Sequence, residues 1–320
     1  MLGADVIIAV VMSTYNGAEY IKEQINSILS QSYSDFSLYI RDDGSSDNTL
    51  GIIHEYCEKD KRVSLYSDSK GNLGPAGSFL EMINNISADV YMFADQDDVW
   101  LQNKIIDAIS FFENHKDGKP KLYCTDLKVV DKNLNVISDS FMVRENYNPV
   151  KQNSLGRLLF QNFVVGCTSA INKELVDVFK TSNSKECIKN IIMHDWWLAL
   201  LAVTYGEIFF NPKASILYRQ HGRNSIGSTG SGFSKIKHVI FTEGLHRKSQ
   251  KYFSMIKEQF LSFYCLHPNC LNNLEPKLAS SLKCYFNENS PRHFIYCLYK
   301  DCGMYGFLRN LSLIYYSIHK

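Results

Sequence analysis

Three carboxylates fall within four residues at Asp95-Gln96-Asp97-Asp98, and no other stretch of the chain carries a sharper chemical signal. Like charges this close repel unless a cation or solvent compensates. Placed at a strand end, they can hold a hard divalent ion such as Mg²⁺ or Mn²⁺, which takes oxygen ligands from a protein and from a diphosphate. A bare Asp-x-Asp reads as well as a solvated acidic turn. The apolar run before it and Trp100 after it weigh against that plainer reading. A second cluster is Arg41-Asp42-Asp43-Gly44-Ser45-Ser46-Asp47-Asn48-Thr49. An ordinary βα turn with an N-cap and a glycine explains Gly44 and the cap. It does not require two adjacent carboxylates, and one of these can accept a hydrogen bond from a pyrimidine N–H or a ribose hydroxyl. A third, weaker signal is Ser13-Thr14-Tyr15-Asn16-Gly17, where Tyr15 can pack on a base and Thr14 can bond its edge. A tyrosine in a turn is more often there only for packing.

Strands and helices must bring these clusters together. Residues 6–12 form a continuous run rich in β-branched side chains, the mark of a parallel strand buried on both faces. Tyr20, Ile21, Ile25, Ile28 and Leu29 then recur at helical spacing. Residues 36–40, 63–66 and 90–94 read as further strands, separated by helices that begin near Asp47 and at Phe79. Such alternation predicts a doubly wound α/β fold with a mostly parallel sheet. Ligands bind such sheets beyond the carboxyl ends of the strands, which is where the polar clusters fall. After Trp100 the pattern is less regular. Strands are expected at 122–125, 129–130 and 208–210, helices at 173–179 and 194–203, and a mobile Gly- and Ser-rich loop at 222–232. From Phe233 onward the sequence reads as helical.

The bulk composition excludes several classes. At 45% hydrophobic and 21% charged, the 320 residues have ample material for a core. A formal net charge of +1 gives no case for nucleic acid. Nine cysteines without a Cys-x-x-Cys pair support neither a zinc ribbon nor a thioredoxin-like site, and suit a reducing cytoplasm. The first apolar run has no basic segment before it, so it is expected to be a strand and not a signal peptide. No stretch reaches the roughly 18 apolar residues of a spanning helix. A cytoplasmic protein is expected, soluble or peripheral at the inner face of the plasma membrane.

Taken together and in order, the Thr14-Tyr15-Asn16 turn, Asp42-Asp43-Gly44-Ser45-Ser46-Asp47, Asn72-Leu73-Gly74 and Asp95-Gln96-Asp97-Asp98 resemble the family 2 glycosyltransferases of the GT-A fold. The resemblance covers roughly the first 225 residues and implies an inverting, metal-dependent transfer from a nucleoside diphosphate sugar. It implies that Thr14, Tyr15, Asn16, Asp42, Asp43, Asn72, Gly74 and Asp95 surround the nucleotide sugar, and that Asp97 binds the metal. Gln96 occupies a position that the family leaves variable. In His194-Asp195-Trp196-Trp197, Asp195 matches the family's base, which takes the proton of the acceptor hydroxyl. A helix cap followed by core tryptophans is the plainer account of that stretch. Tyr218-Arg219-Gln220-His221 is similar to the Tyr-Arg-x-His segment of members that are often rhamnosyltransferases. His221 then joins the metal or diphosphate, and Arg219 or Arg223 balances phosphate charge.

The resemblance further implies dTDP-L-rhamnose as donor and a lipid-linked saccharide of a bacterial surface polysaccharide, O-antigen or capsule, as acceptor. A UDP-sugar-dependent transferase is the alternative within the family. A nucleotidyltransferase would place a glycine-rich loop with a basic residue after the first strand, which Ser13-Thr14-Tyr15-Asn16-Gly17 does not offer. A non-catalytic binding module would not need Asp195. The expected organisation is a GT-A-like domain over residues 1–225 and a helical region over 226–320. In the latter, Lys235, Lys237, Arg247, Lys248, Lys251, Arg292, Lys300 and Arg309 accompany Phe294, Tyr296, Tyr299, Tyr305, Phe307, Tyr315 and Tyr316. An interfacial membrane contact and a helical subdomain with a basic face explain this pattern equally well.

Overall fold

The computed structural model describes residues 6–181, 191–221, 243–306, 309–311 and 313–314. They fall into two compact units. One lies within Met1–Phe141, Val164–Lys180 and Met193–Gly227, the other within Met142–Phe163, Thr181–Ile192 and Ser228–Lys320. The Gly- and Ser-rich stretch at 222–232, with Arg223, and also Lys235, Lys237, Phe307, Tyr315 and Tyr316, lie outside the described residues, as do the side chains of Arg247 and Lys248.

In the first unit β1 (Ile8–Thr14), α1 (Ile21–Leu29), β2 (Ser37–Asp42), α2 (Thr49–Lys59), β3 (Val63–Leu65), α3 (Gly74–Asn85) and β4 (Val90–Ala94) alternate as the sequence predicts. Ile8, Ala9, Val10, Val11 and Met12 are all buried, which is why the run shows no alternation. β1 continues through Ser13 and Thr14 because their backbones still pair with Arg41 and Asp42 of β2. The α3 helix starts at Gly74, earlier than expected, with Pro75 in the first turn, where a missing N–H costs nothing.

Beyond β5 (Val99–Trp100) lies α4 (Lys104–Asn114), which the sequence reading left unassigned. Its buried Ile105, Ala108, Ile109 and Phe112 have ordinary helical spacing. β6 (Lys121–Thr125), β7 (Lys128–Val130) and β8 (Val136–Ser138) follow. Next come the one-turn helices α5 (Phe141–Arg144), α6 (Pro149–Gln152) and α7 (Leu155–Leu158). The chain goes on through β9 (Ala170–Asn172), α8 (Lys173–Thr181), α9 (His194–Tyr205), β10 (Glu207–Asn211) and β11 (Ile216–Arg219).

Seven strands form the main sheet in the order β10-β6-β9-β4-β1-β2-β3. Among the described residues only β9 runs antiparallel to its neighbours there, so the sheet is mostly parallel. A smaller sheet has the order β5-β11-β7-β8. In the main sheet Met12 lies opposite Ala94 and Thr14 opposite Asp42. The ends of β1, β2 and β4 therefore lie side by side, and the three polar turns leave from one edge.

The second unit contains α10 (Glu243–Leu266), α11 (Pro276–Glu288) and α12 (Pro291–Tyr299). Its core is aromatic: Phe160, Phe253, Phe260, Phe263, Tyr285, Phe286 and Phe294 are buried. Phe260 stacks on Phe286 with ring centroids 4.2 Å apart, and Tyr285 on Phe294 at 4.5 Å. Among the described residues no helix is long and apolar enough to cross a membrane.

Candidate active site

The turns after β1 and β2 are laced together. Thr14 is buried and donates from Oγ1 to Asp42 Oδ1 at 3.0 Å. The Asp42 carboxylate also accepts from the Gly44 N–H (3.1 Å), the Ser45 N–H (2.8 Å) and Ser45 Oγ (2.5 Å). Four accepted bonds are about what one carboxylate can take. These bonds hold the turn after β2. Asn16 has φ of 50°, a left-handed conformation that asparagine tolerates. Its N–H donates to Ser45 Oγ and its side-chain oxygen accepts from the Ser46 N–H, both at 2.8 Å. Tyr15 remains 52% exposed.

Asp43 is buried. It accepts from Arg41 Nη1 (2.5 Å), the N–H groups of Leu73 (2.7 Å) and Gly74 (2.8 Å), and Ser78 Oγ (3.2 Å). Its backbone carbonyl takes Asn72 Nδ2 at 2.9 Å. Gly74 sits at φ +70°, which favours glycine. Arg41 in turn grips Asp68 and the Gly71 carbonyl. Asp43, Asn72 and Gly74 are thus brought together, with Asp43 as the peg on which the start of α3 hangs.

The acidic turn follows β4. Burial first, then the charges of Asp97 and Asp195, push the half-buried Asp95 up to about 7. Asp98 is fully buried, and burial first, then the charges of Asp97 and Asp95, raise it well above the usual range. Its Oδ1 accepts from the Arg219 N–H at 3.2 Å, while Oδ2 has no hydrogen-bond partner among the described residues. His221 Nε2 lies 2.6 Å from Asp97 Oδ2. Ligand atoms of Asp95, Asp98 and Cys167 also lie within 4.8 Å of one another. Burial raises the Cys167 thiol, and sulfur is in any case a poor ligand for a hard divalent ion, which takes oxygen. Crowded carboxylates and one imidazole form a donor set for a hard divalent ion. The residues present therefore fit such an ion, with Asp97 and His221 as the pair already in contact.

The Arg219 guanidinium is buried and committed to the protein. Nε donates to the Asp97 carbonyl (2.9 Å), Nη1 to the Lys132 carbonyl (2.5 Å) and Nη2 to the Glu23 carboxylate. The group also lies 4.7 Å over the Tyr20 ring, on which His221 stacks at 5.0 Å. Arg219 clamps the end of β11 to the acidic turn.

Asp195 opens α9 and is mostly buried. Its carboxylate accepts from the Gly166 N–H at 2.9 Å and the Trp196 N–H at 2.6 Å, yet burial still raises it to about 7. It lies near enough to Asp95 for their charges to interact. His194 packs its ring against Phe79 and Phe93, and burial drops it to about 3, so it is neutral. A side chain on Gly166 would strike His194 at 2.8 Å, so the close approach to α9 calls for glycine there.

Residues 9–179 match the model of the family described as glycosyl transferase family 2. The chain belongs to glycosyl transferase family 2. This glycosyltransferase is 32% identical over 241 residues to the dTDP-rhamnosyl transferase RfbG of Shigella flexneri, covering 71% of this chain and 78% of the relative. It is 28% identical over 236 residues to an uncharacterized glycosyltransferase of Nostoc, covering 71% and 69%. Among solved structures it is similar to S. aureus TarS 1-349 in complex with UDP-GlcNAc (TM-score 0.52, 16% identity, 97% and 90% covered). The mannosyltransferase PcManGT of Pyrobaculum calidifontis, in complex with GDP-Man and Mn²⁺, has the same TM-score at 12% identity, with 97% and 86% covered. The fold is of the GT-A type.

In this glycosyltransferase Thr14 and Asn16 are bonded to Asp42 directly or through Ser45, Asn72 and Gly74 are bonded to Asp43, and Tyr15 is bonded to Gln96 in the acidic turn. Asp95, Asp97, Asp195 and His221 surround the acidic turn. Sequence reasoning missed Arg41, Glu23, Tyr20 and Gly166. Arg41 stands beside Asp42 in the sequence, and a basic residue next to two acids at a strand end is a usable signal. The other three act across long sequence separations and leave no local trace.

Proposed function

We propose that this family 2 glycosyltransferase moves L-rhamnose, with inversion, from dTDP-L-rhamnose to a hydroxyl of a lipid-linked saccharide in bacterial surface polysaccharide synthesis. The similarity to the Shigella dTDP-rhamnosyl transferase carries the choice of donor. Asp95 and the turns holding Thr14, Tyr15, Asn16, Asp43, Asn72 and Gly74 receive the nucleotide end of the donor, and Asp42 shapes those turns. Asp97 and His221 hold Mg²⁺ or Mn²⁺, and the contact between them supports that assignment. The chemistry such an ion supplies is neutralisation of charge on the leaving diphosphate. Asp195 takes the proton of the acceptor hydroxyl as its oxygen bonds to the anomeric carbon. The bond from that carbon to the diphosphate breaks, and its electron pair leaves with the nucleotide. Residues 1–225 carry this machinery. Residues 226–320 serve the acceptor or the membrane surface, while residues 142–163 fold with the second unit.

The test is a panel of dTDP-, UDP- and GDP-sugars with Mn²⁺ and a lipid-linked saccharide acceptor, read by release of nucleoside diphosphate. dTDP-L-rhamnose is the expected best substrate. Preference for a UDP-sugar would overturn the donor, and preference for a purine donor would overturn the nucleoside site as well.

A further inference from the structure

The chemistry assigned above leaves Gln96 without a task, although it stands between Asp95 and Asp97. Its side chain reaches the turn after β1. The Tyr15 N–H donates to Gln96 Oε1 at 2.9 Å, and Gln96 Nε2 donates to the Tyr15 carbonyl at 3.1 Å. One amide thus satisfies both backbone groups of one residue, as a neighbouring strand would. Few side chains can do this. Asparagine is a methylene shorter. Glutamate has no donor for the carbonyl and would add a fourth carboxylate to the turn. The amide also lies flat against the next glycine: a Cβ on Gly17 would meet Gln96 Oε1 at 2.1 Å and Cδ at 2.6 Å. Gly17 is therefore the residue that leaves room for the bridge. Its own N–H is held by Thr49 Oγ1 at 2.9 Å, and its carbonyl accepts from the Tyr20 and Ile21 N–H groups at the start of α1. The backbone on the α1 side is fixed, so Tyr15 depends on Gln96 for its hold on the acidic turn.

We propose that Gln96 is a positioning residue for the nucleotide end of the donor, binding the Tyr15 turn to the acidic turn so that base and diphosphate are met at a fixed separation. The proposal rests on the nucleotide-sugar reading of the site. Without the bridge, the half-exposed Tyr15 loses its backbone hold on the acidic turn, and ordering it is left to the ligand at a cost in affinity. Catalytic groups are untouched, so the loss falls on donor KM and on nucleotide binding, and much less on kcat.

The tests use Gln96→Ala, Gly17→Ala and the double variant. Gly17→Ala displaces only the end of a flexible side chain, so the fold is retained while the bridge is lost. Hydrogen exchange on the ligand-free protein is expected to speed up in the peptide containing Tyr15 in all three. Calorimetry with dTDP and with UDP, each with Mn²⁺, is expected to show binding weakened by up to about tenfold in each single variant, the cost of ordering one side chain on binding. The double variant should be no weaker than Gln96→Ala, because both changes break the same contact. Gln96→Glu should not rescue. Unchanged exchange at Tyr15, or unchanged affinity beside a wild type that binds, would overturn the proposal, as would additive losses in the double variant. A wild type that binds neither nucleotide would count against the proposed function, and the exchange measurement would still decide the bridge.

Discussion

At the scale of single residues, burial sets the behaviour of the site. An ordinary aspartate would be fully ionised at neutral pH, and the sequence alone suggests no more than that for Asp195. Its enclosure raises it to about 7, so the fraction able to accept a proton rises steeply through neutrality. The kcat of transfer should therefore show an acid limb with an apparent pKa near 7, and Asp195→Asn should lower kcat by about 10²–10⁴-fold with donor binding little changed. A pH–rate profile with calorimetric donor binding on the same variant checks both; near-normal kcat would remove Asp195 from the mechanism. Stability carries a second signature. Between about pH 4 and about pH 7 the folded protein keeps a proton on Asp195 that the unfolded chain has released, so this group's contribution falls as pH rises through that window. Asp195→Asn has no such proton, and its stability relative to wild type should improve with pH by up to about 1.4 kcal/mol per unit. Melts of both proteins across the window would show it; parallel curves would not fit. For the metal, EDTA should abolish transfer and Mg²⁺ or Mn²⁺ restore it. Asp97→Asn should lose most activity while folded, and His221→Ala should need more Mn²⁺ for half-activation. Full activity in chelator would exclude the assignment of Asp97 and His221 as ligands.

At the scale of elements, Asp43 joins the end of β2 to the start of α3 through Arg41, Leu73, Gly74 and Ser78. Asp43→Ala leaves the buried Arg41 guanidinium short of a partner, and breaking a buried pair typically costs about 3–5 kcal/mol. Asp68 remains as a second partner, so the lower end is expected, together with a raised donor KM. Denaturant unfolding with steady-state kinetics would test this, and a raised KM at unchanged stability would mean that the carboxylate meets the donor directly. The alternation of β1 through β4 with their helices was legible because two-face burial and helical spacing leave strong patterns in ten-residue windows. The turns that carry the polar clusters were legible for the same reason, since they begin where the apolar runs stop. β9 was not, because three residues inserted antiparallel between β4 and β6 show no period. α4 should have been, as Ile105, Ala108, Ile109 and Phe112 were there to count. The committed carboxylate of Asp42 and the clamp made by Arg219 could not be foreseen. A sequence shows which groups stand at strand ends but not which of them the protein uses on itself.

At the scale of the whole molecule, the remaining expectation is the membrane contact. No described helix is long and apolar enough to cross a bilayer, so attachment of the described part would be interfacial. The basic and aromatic residues late in the sequence separate into two groups. Phe294 is fully buried and belongs to the core of the second unit, so it serves the subdomain. On α12, Ile295 and Tyr299 are 56% and 81% exposed, beside the exposed Arg292 and Lys300. An exposed isoleucine and tyrosine one turn apart, flanked by cations, are what an interfacial helix presents to headgroups. Each basic residue near an anionic surface contributes about 1 kcal/mol, screened by salt. Co-sedimentation with vesicles containing phosphatidylglycerol should therefore exceed that with neutral vesicles and fall as salt is raised. Ile295→Ser with Tyr299→Ser should weaken binding to anionic vesicles without lowering the melting temperature, because neither side chain is in the core. Transfer to a soluble saccharide acceptor should be unaffected in that variant, and transfer to a lipid-linked one reduced. Equal pelleting with neutral and anionic vesicles, or none with either, would leave α12 with a packing role alone, through Phe294 and Cys297.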